Sequence, residues 1–199
     1  EDAIGASFSS LHTDDMEITT ETQPFGTGRY FSFGDIAVGL TFARKMTDQF
    51  AFGVTVRYAE EKLDVLTMSA VMVDLGTFYR TGLGSTRFAV VISNFGSDVQ
   101  PKGRVGLFDG SQASTFQSFS LPTVFRLGVA FEPVQSERQR VTTSIQLNHP
   151  NDNSEHVRLG VEYAWEEMFF LRAGVKRTIG QPVFGADATS EEDISLGTG

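Results

Sequence analysis

The stretch FAFGVTVRYAEE, residues 50–61, places Phe50, Phe52, Val54, Val56 and Tyr58 on one side of an extended chain and Ala51, Gly53, Thr55, Arg57 and Ala59 on the other. Successive side chains of a strand point to opposite faces, so this alternation specifies a sheet with one apolar and one polar face. The same period of two recurs along almost the whole chain, and no segment shows the period of an amphipathic helix. It marks strands at 3–11, 33–45, 50–60, 68–80, 86–94, 122–132, 139–148, 156–165 and 168–177, with a possible tenth beginning at 194. Most of them have the length a tilted strand needs to cross a bilayer, about 9 to 11 residues.

One face stays apolar from strand to strand. It runs through Ile36, Val38, Leu40 and Phe42, through Val71, Val73 and Leu75, and on to Val157, Leu159 and Val161. The other face is small or charged, with Gly39, Thr41, Gly76, Gly128, Ser144, Gly160 and Gly174 among its members. On it Arg57, Arg87, Arg126, Arg158 and Arg172 accompany Asp74, Glu132 and Glu162. Such charges either pair across strands and stiffen a polar interior, or they line a conduit and grip an anionic ligand. In the second case Arg126 and Arg158 are the candidate anchors.

The connections carry a second pattern. Short turns at 45–49, 81–85, 133–138 and 166–167 alternate with longer excursions near 61–67, 95–121, 149–155 and 178–193, and a further loop spans 13–32. In an up-and-down meander alternate connections lie at the same end, so one end is tight and the other loopy, as in outer-membrane barrels. On the apolar face Phe42, Phe50, Phe52, Tyr79, Phe88, Phe131, Tyr163, Trp165 and Phe169 all fall within a few residues of a short turn. Aromatic side chains favour the boundary between membrane and water, and a ring of them at one height reads as a lipid-facing girdle.

These observations predict an all-β, antiparallel, up-and-down transmembrane barrel forming a single domain over 1–199. A soluble β-sandwich or lipocalin-like binder would show the same alternation and is the alternative. Composition removes other classes. The chain has no cysteine, so thiolate metal sites and cysteine nucleophiles are excluded. With 16 Lys and Arg against 25 Asp and Glu, and no gathered basic patch, nucleic acid is not an expected partner. No run of 18 apolar residues exists, which excludes a helical span and leaves a β-barrel open.

Two local motifs invite chemistry and yield a simpler reading. His149, Asn151, Asp152, Asn153 and His156 in NHPNDNSEH, with Ser144 and Asn148, include the residue types of a metal site or a lipolytic set, but Asn, Asp and Pro also simply make turns. Gly26 and Gly28 in PFGTG and Gly82 and Gly84 in TGLGS precede no helix, so the helix N-terminus of a phosphate cradle is missing. No catalytic, cofactor-binding or metal-binding residue is assigned, and no enzymatic activity is expected. The longest connection, 95–121, carries Leu107, Phe108, Phe116 and Phe119, which either present a partner surface or fold back over the barrel mouth.

Several words, taken in order, resemble the PorV/PorQ family of outer-membrane proteins: PFGTGRYFSFGD (24–35), LTFARKMTDQFAFGVTVRYAEEKL (40–63), VDLGTFYRTG (73–82), ISNFG (92–96), LPTVFRLGVAFEP (121–133), LNHPNDNSEHVRLGVEY (147–163) and LRAGVK (171–176). The resemblance implies a FadL-like barrel in the bacterial outer membrane, larger than the strands found here, so that part of the barrel, any N-terminal plug and the signal peptide are expected to lie outside this chain. It further implies a protein-binding shuttle or scaffold of a type IX-like secretion or surface-attachment system, with outer-membrane lipid and a translocon or cargo protein as partners. A FadL-like transport channel for small hydrophobic compounds is the alternative within the same fold. Val175 departs from the family pattern, which often has an aromatic after LRAG.

Overall fold

A computed structural model describes residues 1–106, 111–179 and 193–199. The described strands, in chain order, are β1 (Asp2–His12), β2 (Met16–Glu17), β3 (Tyr30–Phe31), β4 (Phe33–Lys45), β5 (Phe50–Leu63), β6 (Leu66–Arg80) and β7 (Arg87–Gly96). They continue with β8 (Val105–Gly106), β9 (Gln112–Ala113), β10 (Val124–Gln135), β11 (Gln139–Pro150), β12 (His156–Trp165), β13 (Phe169–Thr178) and β14 (Asp193–Thr198). Ten of them form one antiparallel sheet in the order β1-β4-β5-β6-β7-β10-β11-β12-β13-β14, in which every strand pairs with the next long strand of the chain. Among the described residues the sheet does not close on itself, and β1 and β14 are its two edges.

The register confirms the period-two reading at the level of pairs. Leu40 opposes Val56, which opposes Val73, while on the other face Thr41 opposes Thr55, which opposes Asp74. A slip of one residue would invert both faces, so the pattern pins the register over long strands. The turns 46–49, 81–86, 136–138 and 166–168 share one end. At 166–167 the chain turns through Glu166 (φ 51°) and Glu167 (φ 54°), the left-handed pair that a tight hairpin whose twist matches its strands requires.

At the opposite end the expected excursion at 61–67 is a correction. β5 and β6 stay paired to Leu63 and Leu66, and the chain reverses in the two residues Asp64 and Val65. Asp64 takes φ 53°, a conformation Asp tolerates better than most residues, so the polar run that read as a loop is strand and turn. The long connections there are 13–32, which holds the β2–β3 hairpin, and 97–123, which holds β8 and β9. Most of 178–193 lies outside the described residues.

Unlike a soluble domain, the sheet buries almost nothing. Among the described residues only Met72, Val99 and Ala164 are buried apolar side chains, whereas Leu40, Val56, Val71, Ile145, Leu159 and Leu171 are exposed on the apolar face. The accessible surface is 14312 Å², against roughly 9,300 Å² for a compact soluble monomer of this mass. In a sandwich a second sheet would cover that face, and no second layer exists among the described residues.

Candidate functional site on the polar face

The polar face gathers its charges into clusters, and irregularities of the sheet place two of them. Between β6 and β7 the register shifts between Val73 and Leu75, so that Asp74 meets both Ser93 and Asn94. This bulge aims backbone and side chain at one carboxylate. The Asn94 N–H donates to Asp74 Oδ1 at 2.7 Å, and the Arg57 guanidinium pairs with Asp74 Oδ2. Asn94 sits at φ 59°, a left-handed position that Asn tolerates. Its side-chain N–H donates to the Pro122 carbonyl at 3.2 Å, and its own carbonyl accepts from Thr123 Oγ1 at 3.1 Å. The bulge therefore ties the 97–123 excursion to the sheet. Beside it Arg126 donates to Ser93 Oγ at 2.8 Å.

The second cluster surrounds Glu132, next to the irregularity of β10 between Phe131 and Val134. Glu132 is only 5% exposed at its side chain and pairs with Arg87 at 2.7 Å. Thr142 Oγ1 donates to it at 3.3 Å, while its backbone N–H donates to Ser85 Oγ at 2.7 Å. A nearly buried carboxylate needs such partners to remain charged. In the third cluster Glu162 accepts from Arg172 Nε at 2.6 Å and lies 3.9 Å from Arg140, which also reaches Glu167 at 3.1 Å. Of the eight expected polar-face residues, six form ion pairs, Arg126 meets a hydroxyl, and Arg158 has no partner among the described residues. Arg140, Ser85, Asn94 and Thr142 complete the clusters without having been singled out. Arg140 carried the right alternation; Asn94 carried no sequence signal, because a bulge resets the parity.

Between the Glu162–Arg172 pair and the row of Gln146 and Arg158 lies a lane of small residues. Ser144, Gly160, Gly174 and Ser195 oppose one another across four strands and floor a groove of about 390 Å³. A Cβ added at Gly160 would come within 2.9 Å of Ser144 Oγ, and one at Gly174 within 2.8 Å of Ser195 Oγ.

On the apolar face, rings near the short turns contact one another. Phe42 and Phe52 meet edge to face at 6.3 Å, Tyr79 and Phe88 lie 5.2 Å apart, and Trp165 stacks on Phe169 at 5.7 Å. By register Phe50, Phe131 and Tyr163 belong to the same face. In the 97–123 excursion Phe119 is bridged to Val99 and remains exposed, while Phe116 is half-buried and accepts from Gln100 Nε2 at 2.8 Å. Leu107 and Phe108 lie outside the described residues.

The NHPNDNSEH segment does not assemble a reactive set. His149 Nδ1 pairs with Glu155 at 2.7 Å, and its register places it on the face opposite Ser144. No group of three metal-ligating side chains occurs among the described residues.

No protein-family model matches the chain, and no curated protein does. Among solved structures it is similar to the ΔS2S3 mutant of TodX, a monoaromatic hydrocarbon channel, with a TM-score of 0.50 and 15% identity over 98% of this chain and 69% of that one. The likeness shows the fold, an all-β antiparallel up-and-down sheet like that channel's barrel, with ten strands among the described residues. None of these comparisons supports PorV/PorQ in particular.

Proposed function

We propose that the protein is a non-enzymatic outer-membrane barrel whose apolar face meets lipid and whose polar face lines a lumen that passes small hydrophobic compounds. The observation that carries this reading is the FadL-like fold, shared with a channel for monoaromatic hydrocarbons. The exposed apolar face supports the membrane half, because leaving it in water would forfeit roughly 25 cal/mol per Å² of apolar surface. The paired charges support the lumen half, since each cluster leaves the lane over Gly160 and Gly174 unobstructed.

The test is passage of toluene into cells or proteoliposomes containing the protein. Uptake should exceed that of protein-free controls and fall when Gly160 is replaced by Phe, which fills the lane. Unchanged uptake in both comparisons would count against the channel. The PorV/PorQ resemblance suggests instead a protein-binding component of a type IX-like secretion or surface-attachment system. Its specific support is the fully exposed Phe25 and the exposed Phe119 at the long-loop end. Specific copurification of a translocon or cargo protein, lost on Phe25→Ser and Phe119→Ser, would favour that role.

A further inference from the structure

Where the turns 46–49, 81–86 and 136–138 converge, the polar face holds a cavity of about 610 Å³ whose wall includes Gln49, Phe78, Arg80, Arg87, Glu132 and Arg140. Three guanidinium groups line it against one carboxylate. Glu132 is committed to Arg87. Arg140 is offset through its terminal nitrogen by Glu167 at 3.1 Å and Glu162 at 3.9 Å, yet its Nε is buried with no hydrogen-bond partner. Arg80 has no carboxylate partner among the described residues, and its guanidinium lies 5.7 Å from the centre of the Phe78 ring. An unpaired buried N–H costs free energy that an incoming acceptor recovers, and clustered positive charge between low-dielectric walls concentrates anions. The floor is glycine turn: Gly82 (φ 76°) and Gly84 (φ 58°) keep side chains out, and nothing lies within 4 Å of a Cβ added at Gly84.

We infer that this cavity, at the short-turn mouth of the proposed lumen, binds a small aromatic carboxylate. The carboxylate would sit between Arg80 and Arg140, whose planar, forked donors suit it. The ring would lie against Phe78, since offset or edge contacts between rings are favourable. The inference rests on the lumen reading for its setting, but its chemistry differs: it selects an anion, whereas the passage proposed above concerns neutral compounds. The site would hold an acid at one mouth and leave the lane free.

Isothermal titration of the purified protein in detergent with benzoate, and separately with toluene, tests it at low ionic strength. One benzoate should bind, and Arg80→Gln or Arg140→Gln should each weaken it by about tenfold, the scale of one lost charge-assisted hydrogen bond. Arg158→Gln, outside the cavity, should leave benzoate affinity unchanged, and Arg80→Gln should leave toluene binding unchanged. Absence of benzoate binding, equal affinity in wild type and both cavity variants, or a loss confined to Arg158→Gln would overturn the site. Heat-modifiability on gels verifies that each variant is folded. If toluene uptake fails while the benzoate pattern holds, the channel is wrong and the site stands.

Discussion

Across the middle of β4, β5 and β6 the apolar face sets Leu40, Val56 and Val73 in one row, while one residue along, Thr41 and Thr55 share a hydrogen bond of 2.8 Å and Asp74 takes Arg57. The two faces differ in where their partners are. The polar face meets most of its charges within the sheet, and the apolar face has no covering layer among the described residues. In water the second condition is costly; in hydrocarbon it is the favourable one, provided that the backbone is paired strand to strand. On the proposed reading the two faces meet different solvents, and substitutions that exchange the faces are the way to break it.

The largest effect is expected at Leu40, 65% exposed near the middle of its strand. Leu40→Arg should destabilise the protein in vesicles by about 2–4 kcal/mol, measured by urea unfolding, if that position lies near the bilayer midplane. Thr41→Arg on the polar face should cost less than Leu40→Arg. Equal, negligible costs for both would mean that water reaches both faces.

Next comes Glu132. Its removal leaves Arg87 facing an enclosed site, and Glu132→Ala should cost about 1–3 kcal/mol, with part of the loss recovered by adding Arg87→Met. If Glu132→Ala were neutral in the same unfolding assay, the pair would contribute nothing to the interior. At the bulge, Asn94→Ala keeps a left-handed backbone without the tolerance of Asn and removes the Pro122 contact, for a loss of about 1 kcal/mol. Limited proteolysis should then cut the 97–123 excursion faster, and unchanged cleavage would show that the bulge does not anchor it. A smaller effect of opposite sign is expected at the 166–167 turn, where Glu166→Asn suits the left-handed backbone and should raise stability by a few tenths of a kcal/mol, about the scale of a turn propensity.

The smallest effect lies in the 46–49 turn. The Lys45 ammonium, 2.9 Å away, holds the Asp48 carboxyl below its usual pKa. A depressed carboxyl contributes stability at neutral pH that disappears as pH falls through its folded value. Because Asp48 is wholly solvated, Asp48→Asn should leave unfolding at neutral pH unchanged within error. A clear shift would reveal a role for this rim that its exposure does not suggest.

Strand existence and face were readable because period-two alternation is a direct consequence of extended geometry, and Phe50 to Tyr58 show it without interruption. Strand ends were less readable. Glu60, Glu61 and Lys62 look like loop residues, yet they remain paired with Ser69, Met68 and Thr67, because backbone pairing runs on to the tight turn at Asp64 and Val65 whatever the polarity of the side chains. The ion-pair partners were only half readable. Arg57 with Asp74 follows from neighbouring strands, but Asn94 joins them through a bulge, and Arg140 with Glu167 through a turn, neither of which alternation encodes. The cavity at the short-turn end was missed for the same reason: three turns distant in sequence bring Gln49, Arg80 and Gln135 together.

Trp165 offers the most direct test of the account, because it is the sole tryptophan, 42% exposed on the apolar face and stacked on Phe169 beside a short turn. In vesicles of brominated phospholipid its fluorescence should be quenched by bromine near the interfacial depth and resist aqueous iodide. Quenching by iodide with no response to brominated lipid would place the apolar face in water and contradict the membrane barrel.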